Sequence, residues 1–194
     1  MSGNPIISTL VCVLLLSQSF GQHAQTDTSR VETEQAEEVH WMTFEEALEA
    51  SETEPKKWMI DLWTDWCGWC KRMDATTFKD SLIIDYLNDH FYPVSFDAEQ
   101  KEDIVVGDKT YTFVAEGRRG YHELAATLMN GKMSYPTCVF LSPQLQNLSP
   151  VSGYQPPRDF MQILEFIVEF DPENNPITWE DFSDSYVSPY GPEE

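Results

Sequence analysis

Apolar positions along the chain recur with two spacings, one typical of helices and the other of strands. At residues 80–89, and again from residue 157 onward, helical spacing of apolar side chains predicts amphipathic helices. Short apolar runs bounded by turn-forming residues predict strands. In chain order, the predicted elements are a helix at 43–51, a strand at 58–64, helices at 67–75 and 80–89, a strand at 91–96, a hairpin at 104–113, a helix at 121–129, strands at 137–141 and 148–154, and a helix from 157. This order predicts an α/β domain.

The two ends of the chain differ in composition from its middle. An apolar run at 6–16, followed by small residues before Gly21, predicts a signal peptide at 1–21 that is too short for an ordinary membrane span. Residues 1–5 contain no Lys or Arg, so cleavage of the signal stays open. The chain is therefore expected to be exported, to the periplasm of a Gram-negative host and otherwise to the medium.

Two acidic segments flank the predicted domain. Residues 22–40 have little to bury and are predicted to form a flexible spacer. Residues 171–194 form an acidic tail with a disorder-like composition. Four aromatic residues interrupt this tail and are candidates for docking on the domain: Trp179, Phe182, Tyr186 and Tyr190.

The length and net charge of the chain limit the classes of function that it can have. The 194 residues fit one domain with extensions. The chain has 33 acidic and only 12 basic residues, which gives a formal net charge of −21. Such a charge excludes nucleic acid as an expected partner, because little is present to neutralise phosphates.

The segment Trp66-Cys67-Gly68-Trp69-Cys70 follows a predicted strand and opens a predicted helix. Two cysteines in the first turn of a helix can close a small disulfide, and the helix N-terminus favours a thiolate at the first of them. Thiol–disulfide exchange requires these properties. A structural disulfide or half of a zinc site are the alternatives, but the strand before and the helix after favour redox chemistry. The chain has no second Cys-x-x-Cys and no histidine at ligand spacing to the cysteines, so a zinc site is weakly supported. Exchange through a dithiol requires neither a metal nor an organic cofactor, and none is expected.

The order of elements and the motif together resemble the thioredoxin superfamily. Residues 58–73 are similar to the thioredoxin active-site segment, with Asp61 six residues before Cys67, where the family has a buried carboxylate. Pro136 precedes an apolar strand where the family has a cis-proline, and Gly153 matches a family glycine after the next strand. Within the superfamily, the chain looks most like exported thioredoxin-like proteins related to the C-terminal domain of the membrane reductant DsbD.

The resemblance covers residues 41–170 and implies a thioredoxin-like fold, with a central mixed sheet flanked by helices. Residues 102–132 are longer than the matching region of a minimal thioredoxin and are predicted to be an insertion.

The resemblance and the local pattern also assign roles to individual residues. Cys67, nearer the surface and the helix dipole, is expected to attack a substrate disulfide, and Cys70 is expected to resolve the mixed disulfide. Asp61 is expected to be buried, to have a raised pKa and to take the proton of Cys70, with a purely structural role as the alternative. A cis bond before Pro136 would leave the backbone of Tyr135 free to pair with a substrate strand, whereas an ordinary trans-proline is the alternative.

Other residues near the motif allow two interpretations. Trp66 and Trp69 are expected to bind substrate as an apolar rim or to pack on the domain, and Trp69 is expected to be exposed. Cys138 is predicted to be a buried small hydrophobe, with a regulatory thiol as the alternative. Arg118 and Arg119 are expected to form salt bridges within this acidic protein, with docking of an acidic partner as the alternative.

These observations predict an exported, monomeric thiol–disulfide oxidoreductase that reduces protein disulfides. Neither residue between Cys67 and Cys70 carries a charge, which favours a reductant over a strong oxidant. Expected partners are protein disulfide substrates and an upstream thiol reductant, for which a membrane electron carrier is one candidate. A disulfide oxidase or isomerase and a redox-quiet binding module are the alternatives.

Overall fold

The computed structural model describes residues 36–192, in which helices and strands follow one another much as the sequence predicts. The helices are α1 (Phe44–Ser51), α2 (Gly68–Ala75), α3 (Ser81–His90), α4 (Glu123–Leu128), α5 (Pro157–Glu169) and α6 (Trp179–Ser185). The strands are β1 (Lys57–Trp63), β2 (Phe91–Asp97), β3 (Ile104–Val106), β4 (Lys109–Tyr111), β5 (Phe113–Val114), β6 (Tyr121–His122), β7 (Thr137–Leu141) and β8 (Asn147–Ser152). A single 3-10 turn, Thr77–Lys79, links α2 to α3.

The central sheet has four strands in the order β2-β1-β7-β8. Strand β1 is parallel to β2 and antiparallel to β7, and β7 is antiparallel to β8. In this register Asp61 lies opposite Ser95 on one side and Cys138 on the other. The predicted α/β fold with a central mixed sheet is confirmed.

Helices cover both faces of this sheet and create two cores. Ile60 and Leu62 of β1 face a first core that includes apolar residues of α1 and α4. Met59 and the β7 residue Cys138 face a second core, built with residues of α2, α3 and α5. Because neighbouring residues of a strand point to opposite faces, a strand buried on both faces reads as the continuous apolar run seen in β1.

Residues close together in the sequence account for the start of α1. The Thr43 side chain accepts from the Glu46 N–H at 3.1 Å, and the Glu46 carboxylate accepts from the Thr43 N–H at 2.8 Å. This reciprocal pair is the capping box predicted from the sequence, and it satisfies N–H groups that the helix itself leaves unpaired.

The predicted insertion contains β3 to β6 and α4. The hairpin predicted at 104–113 is present as β3 and β4, but the helix predicted at 121–129 begins later. Its first two residues form β6, which pairs with β5, and His122 caps α4 through its ring nitrogen Nδ1. Leu124 and Leu128 of α4 are buried in the first core. Part of the insertion is therefore integral to the domain.

The end of the segment predicted as a spacer packs on the domain. Val39 is buried in the second core, and the Ala36 and His40 N–H groups donate to Asp85 and Asn88 of α3. The remaining spacer positions at 22–35 and the predicted signal peptide at 1–21 lie outside the described residues. No helix within residues 36–192 is long and apolar enough to cross a membrane.

The acidic tail also docks on the domain, through the aromatic residues that interrupt its composition. Trp179 and Phe182 of α6 contact the Phe166 ring of α5 at centroid distances of 5.2 and 5.5 Å. The Tyr190 hydroxyl donates to Asp80 Oδ1 at 2.6 Å, which is the same oxygen that caps α3. Residues 171–192 thus follow the outer face of α5, in contrast to their disorder-like composition.

Lys57 joins the start of β1 to the end of α5. Its ammonium group donates to the carbonyls of Ile167, Val168 and Phe170 at 2.6, 2.9 and 2.7 Å. These carbonyls lie at the end of a helix, where backbone acceptors lack helical partners and a cation is favoured. Burial lowers the Lys57 pKa, and the nearby Asp171 carboxylate partly offsets that effect.

We expect Lys57→Met to lower the free energy of unfolding by about 2 kcal/mol, because it leaves three carbonyls without their donor. Lys56→Met is the matched control, since Lys56 makes a long ion pair of 3.8 Å with Glu54 and a distant contact of 5.8 Å with the Tyr92 ring. It should therefore change stability by less than about 1 kcal/mol. Urea denaturation of both variants measures the difference. Equal effects of the two substitutions would show that the Lys57 contacts do not stabilise the end of α5.

Candidate redox site

The two cysteines of the motif lie where β1 leaves the sheet and α2 begins. Cys67 is the residue that caps α2, and its sulfur accepts from the Cys70 N–H at 3.0 Å. The pair forms a disulfide with an S–S distance of 2.06 Å and a Cα–Cα distance of 5.3 Å. The Cys67 N–H donates to the Thr64 carbonyl at 3.0 Å, which closes the turn between the strand and the helix.

Solvent exposure does not distinguish the two cysteines, because Cys67 is 4% and Cys70 is 3% exposed. Their positions on α2 do differ. Cys67 stands at the end of the helix, beside the unpaired N–H groups and the positive end of the helix dipole, whereas Cys70 lies inside the first turn. This asymmetry favours Cys67 as the thiolate, so its role as nucleophile stays a prediction with a physical reason.

Asp61 is buried in the second core beneath α2. It is 3% exposed, and no group within residues 36–192 hydrogen-bonds to its Oδ1. Burial, with a smaller contribution from the Asp74 carboxylate, raises the Asp61 pKa to about 8. Asp74 lies one turn after Cys70 on α2, so the two carboxyl groups approach each other on the face of the helix that carries Cys70. The raised pKa expected from the sequence is confirmed.

Cys138 is the cross-strand neighbour of Asp61 and shares its face of the sheet. It is a free thiol, 1% exposed, and burial beside the Asp61 carboxyl raises its pKa well above the usual value. Such a thiol remains protonated and unreactive at neutral pH. The prediction of a buried small hydrophobe is therefore confirmed.

The Tyr135–Pro136 peptide bond is cis, as the resemblance implies. The Pro136 carbonyl accepts from the Gly153 N–H at 2.8 Å, which ties this loop to the residue after β8. In the described part of the chain, neither the N–H nor the carbonyl of Tyr135 bonds to another backbone group. An unpaired backbone segment of this kind can accept an extended peptide.

Two exposed tryptophans flank the disulfide. Trp66 is 50% and Trp69 is 59% exposed, so the expected exposure of Trp69 is confirmed. Trp66 packs edge-on against Tyr135 at 5.9 Å and donates its indole N–H to Glu99 at 2.9 Å, whereas Trp69 packs against Tyr154 at 5.6 Å. Trp66 is thus packed on the domain and half exposed, and its binding of substrate stays a prediction.

Several residues beside the disulfide were not singled out from the sequence. Tyr154 and Arg72 support Trp69, with the Arg72 guanidinium 5.4 Å from the Tyr154 ring, and Met133 is 39% exposed near Trp66. No local pattern marks them, although Tyr154 directly follows the family glycine Gly153. The salt bridges expected for Arg118 and Arg119 are absent from residues 36–192. No cluster of three His, Cys, Asp or Glu residues suited to a metal occurs in that same stretch.

The pH dependence of stability provides a test of the burial of Asp61. The folded carboxyl holds its proton up to a pH of about 8, whereas the unfolded one loses it above a pH of about 4. Its contribution to stability is therefore complete below the unfolded pKa and is lost as the pH rises through the folded pKa. The limiting slope is about 1.4 kcal/mol per pH unit.

We expect the difference in unfolding free energy between Asp61→Asn and the unsubstituted protein to grow in favour of the variant as the pH rises from 5 to 8. Urea melts of the oxidised proteins measure it, because the disulfide keeps Cys67 and Cys70 from titrating. Asp108→Asn, at an exposed turn, is the control and should show no such trend. A pH-independent difference for Asp61→Asn would mean that the carboxyl is not held neutral.

Comparison with known proteins agrees with this geometry. The family model described as "Thioredox_DsbH: Protein of unknown function, DUF255" matches residues 22–174. Spermatogenesis-associated protein 20 of Rattus norvegicus is 32% identical over 124 residues, which make up 62% of this chain and 14% of that protein. The thiol:disulfide interchange protein DsbD of Pseudoalteromonas atlantica is 40% identical over 45 residues, or 23% of this chain and 8% of that protein. The chain thus spans only a small part of these relatives.

Among solved structures, one described as "DsbH Oxidoreductase" superposes with a TM-score of 0.51 and 17% identity, covering 75% of this chain and 94% of that one. A thioredoxin from Thermus thermophilus gives the same TM-score and identity over 67% of this chain and 87% of its own. These similarities show the thioredoxin fold. The match to the family model, together with the Cys67–Cys70 pair, supports thiol–disulfide redox chemistry. The chain belongs to the Thioredox_DsbH family of the thioredoxin superfamily.

Proposed function

We propose that this protein is an exported thiol–disulfide oxidoreductase that reduces disulfides in other proteins. The observation that carries the proposal is the Cys67–Cys70 pair at the start of α2, directly after the strand β1 that holds the buried carboxyl of Asp61. Export is proposed from the apolar run at 6–16, which lies outside the described residues.

The proposed reaction moves two electrons from the protein dithiol to a substrate disulfide. The Cys67 thiolate attacks one substrate sulfur, which breaks the substrate S–S bond and releases the other sulfur as a thiolate. Cys70 then loses its proton to Asp61 and attacks the Cys67 sulfur. This step closes the Cys67–Cys70 disulfide and releases the second substrate thiolate. An upstream dithiol reductant returns the two electrons, and a membrane electron carrier is our candidate for it.

Asp61 suits the role of base in the second step. A proton moves readily between groups of similar pKa, and the Asp61 pKa of about 8 is close to that of an ordinary thiol, about 8.5. A solvent-exposed carboxyl, with a pKa near 4, would be too weak a base for a thiol. Burial without a neighbouring cation therefore provides what this step requires.

The surface around the disulfide suits an extended polypeptide. The unpaired backbone of Tyr135, next to Pro136, offers one donor and one acceptor to a substrate strand. Trp66 and Trp69 expose large apolar rings on either side of the disulfide. Aromatic residues of this kind contribute much of the binding energy at protein interfaces. We propose that these four residues bind the substrate.

We infer the reducing direction from the residues between the cysteines. Gly68 and Trp69 carry no charge that would stabilise the Cys67 thiolate further, and a less stabilised thiolate makes the dithiol a better reductant. The rival direction, disulfide oxidation or isomerisation, requires a more stabilised thiolate.

The reduction potential of the Cys67–Cys70 pair tests this direction. Equilibration of the protein with redox buffers should give a potential close to that of thioredoxin, about −270 mV, rather than that of the oxidant DsbA, about −120 mV. The protein should also accelerate reduction of insulin by dithiothreitol, which a redox-quiet binding module would not do. A potential near −120 mV would favour an oxidase, and the absence of any acceleration would favour the binding module.

Cysteine variants test the order of the steps. Cys70→Ser should accumulate a mixed disulfide between Cys67 and the substrate, because the resolving thiol is missing, whereas Cys67→Ser should form none. Non-reducing gels after mixing with a disulfide substrate show which variant retains it, and Cys138→Ser should behave as the unsubstituted protein does. Retention by Cys67→Ser instead would reverse the assignment of the nucleophile.

In the same system, Asp61→Asn should slow resolution of the mixed disulfide by about 10²-fold, the low end for general base catalysis. Attack by Cys67 should change much less, because Asp61 is assigned only to Cys70. Stopped-flow measurements separate the two steps, and resolution in the unsubstituted protein should accelerate as Asp61 ionises towards a pH of about 8. An unchanged rate of resolution in the variant would leave Asp61 with a purely structural role.

A further inference from the structure

A groove of about 560 Å³ opens beside Tyr135 and Trp66, the residue that directly precedes Cys67. Its opposite wall is the segment 116–121 of the predicted insertion, and Met133 and Ser134 complete it. This wall contains Arg118 and Arg119, the adjacent pair noted in the sequence. The insertion therefore contributes directly to the surface around the redox site.

The loop that carries the two arginines is held in one arrangement. The Gly120 N–H donates to the Glu116 carbonyl at 3.0 Å, which closes a tight turn. Gly120 has φ +82°, and a Cβ at this position would overlap the Phe113 ring and the Val114 carbonyl of β5. Only glycine fits both the dihedral angle and the space.

The same loop is anchored to the domain through His122. The His122 N–H donates to the Ala98 carbonyl at 2.7 Å, just beyond the end of β2. Its ring is fully buried, lies 5.3 Å from the Phe96 ring and bonds through Nε2 to the Glu102 carbonyl at 3.0 Å. This anchoring holds the two arginines in the wall of the groove, on the same side as Trp66, as part of the fold.

Arg119 lies against Trp66, the rim residue that directly precedes Cys67. Its guanidinium carbon is 4.4 Å from the centre of the indole ring. Trp66 is itself held by Tyr135 and by its hydrogen bond to Glu99. A guanidinium that stacks on an aromatic ring keeps the edge with its N–H groups free for a carboxylate.

Neither arginine is engaged elsewhere in the described chain. Within residues 36–192, no carboxylate oxygen lies within 4.0 Å of the Arg118 or Arg119 guanidinium. This is unexpected in a protein with 33 acidic residues, where an arginine has many candidate partners. Arg158, by contrast, donates to the carbonyls of Tyr190 and Gly191 at 3.2 and 2.8 Å.

We propose that Arg118 and Arg119 form a subsite for a carboxylate side chain of the substrate polypeptide, close to the substrate cysteine that Cys67 attacks. The proposal rests on the disulfide exchange proposed above and specifies its substrates as disulfides with acidic neighbours. Glu99 and Glu116 also line the groove, but Glu99 is engaged by Trp66. The planar N–H fork of arginine matches a carboxylate and can bind it through two hydrogen bonds.

The net charge of the whole protein determines how much the proposed subsite would affect the binding of acidic substrates. A net charge of −21 repels acidic polypeptides, and two arginines that form no ion pair with any residue of 36–192 provide a local exception beside Trp66. Binding of a carboxylate there would align the substrate disulfide with Cys67 and increase the rate of attack.

Two matched disulfide peptides test the proposal, one with Glu and one with Gln beside the cysteine. With the full chain and dithiothreitol, the rate constant kcat/KM for the Glu peptide should exceed that for the Gln peptide by about 10-fold, as expected for one charge-assisted contact. In the double variant Arg118→Gln/Arg119→Gln, the ratio should fall to about 2-fold or less, chiefly through slower reduction of the Glu peptide.

Lys109→Gln is the control for a general loss of positive charge, because it removes one positive charge from the predicted insertion at a residue that does not line the groove. It should keep the 10-fold preference. Added salt should reduce the preference of the unsubstituted protein and leave the Gln peptide unaffected.

Three outcomes would overturn the proposal: no preference in the unsubstituted protein, a preference that survives in the double variant, or an equal loss of rate with both peptides. An arginine dependence seen only with glutathione disulfide would overturn it too, by showing that the subsite serves a small disulfide rather than a polypeptide. Failure to reduce either peptide would contradict the proposed reductase itself. The Gln peptide thus separates failure of the chemistry from failure of the subsite.

Discussion

Burial of β1 on both of its faces constrains the rest of this structure. Residues 58–62 are all buried, so their side chains must alternate between two cores. Each core requires its own helices, which is why α1 and α4 lie on one face and α2, α3 and α5 on the other. Beyond β1, Thr64 is still buried, and the chain first becomes fully exposed at Asp65 and Trp66, in the turn to Cys67. The position of the disulfide at the end of β1 follows from this arrangement.

The same constraint determines the electrostatics of the site. Asp61 has to face the second core, where its neighbours are the Cys138 thiol and apolar side chains rather than a cation. Desolvation then favours the neutral carboxyl and raises its pKa to about 8. A neighbouring Arg or Lys would stabilise the folded protein but lower this pKa, and the carboxyl would no longer match a thiol. The burial that gives Asp61 the pKa required by the proposed chemistry therefore lowers the stability of the folded protein at neutral pH.

The predicted insertion and the tail lie outside a minimal thioredoxin fold, and they differ in how far they are buried in the domain. Helix α4 fills part of the first core, so the predicted insertion cannot be removed without exposing apolar surface. The loop at 116–120 stays on the surface and lies beside Trp66, where it carries the arginines of the proposed subsite. The tail packs on α5 through Phe182 and on the start of α3 through Tyr190.

The sequence by itself determined those features that depend on residues close together in the chain. The capping box at Thr43, the disulfide between Cys67 and Cys70, and the alternation of strands and helices all depend on residues a few positions apart. The local pattern around Pro136 does not distinguish a cis from a trans peptide bond. The cis bond was expected only from the resemblance to thioredoxins. These features cover most of the fold and the chemistry of the dithiol.

Contacts between distant parts of the chain were decided only by the tertiary structure. Lys57 meets α5 more than 100 positions later, Tyr190 meets Asp80 across 110 positions, and Arg119 lies on Trp66 rather than in the salt bridges expected of it. The composition of the tail predicted disorder, but Trp179 and Phe182 pack on Phe166 of α5, and these contacts favour docking. The physical reason is that local hydrogen bonds and periodic burial are encoded over one or two turns. The partner of a long side chain is instead set by how the sheet and its helices pack, which no short window of sequence contains.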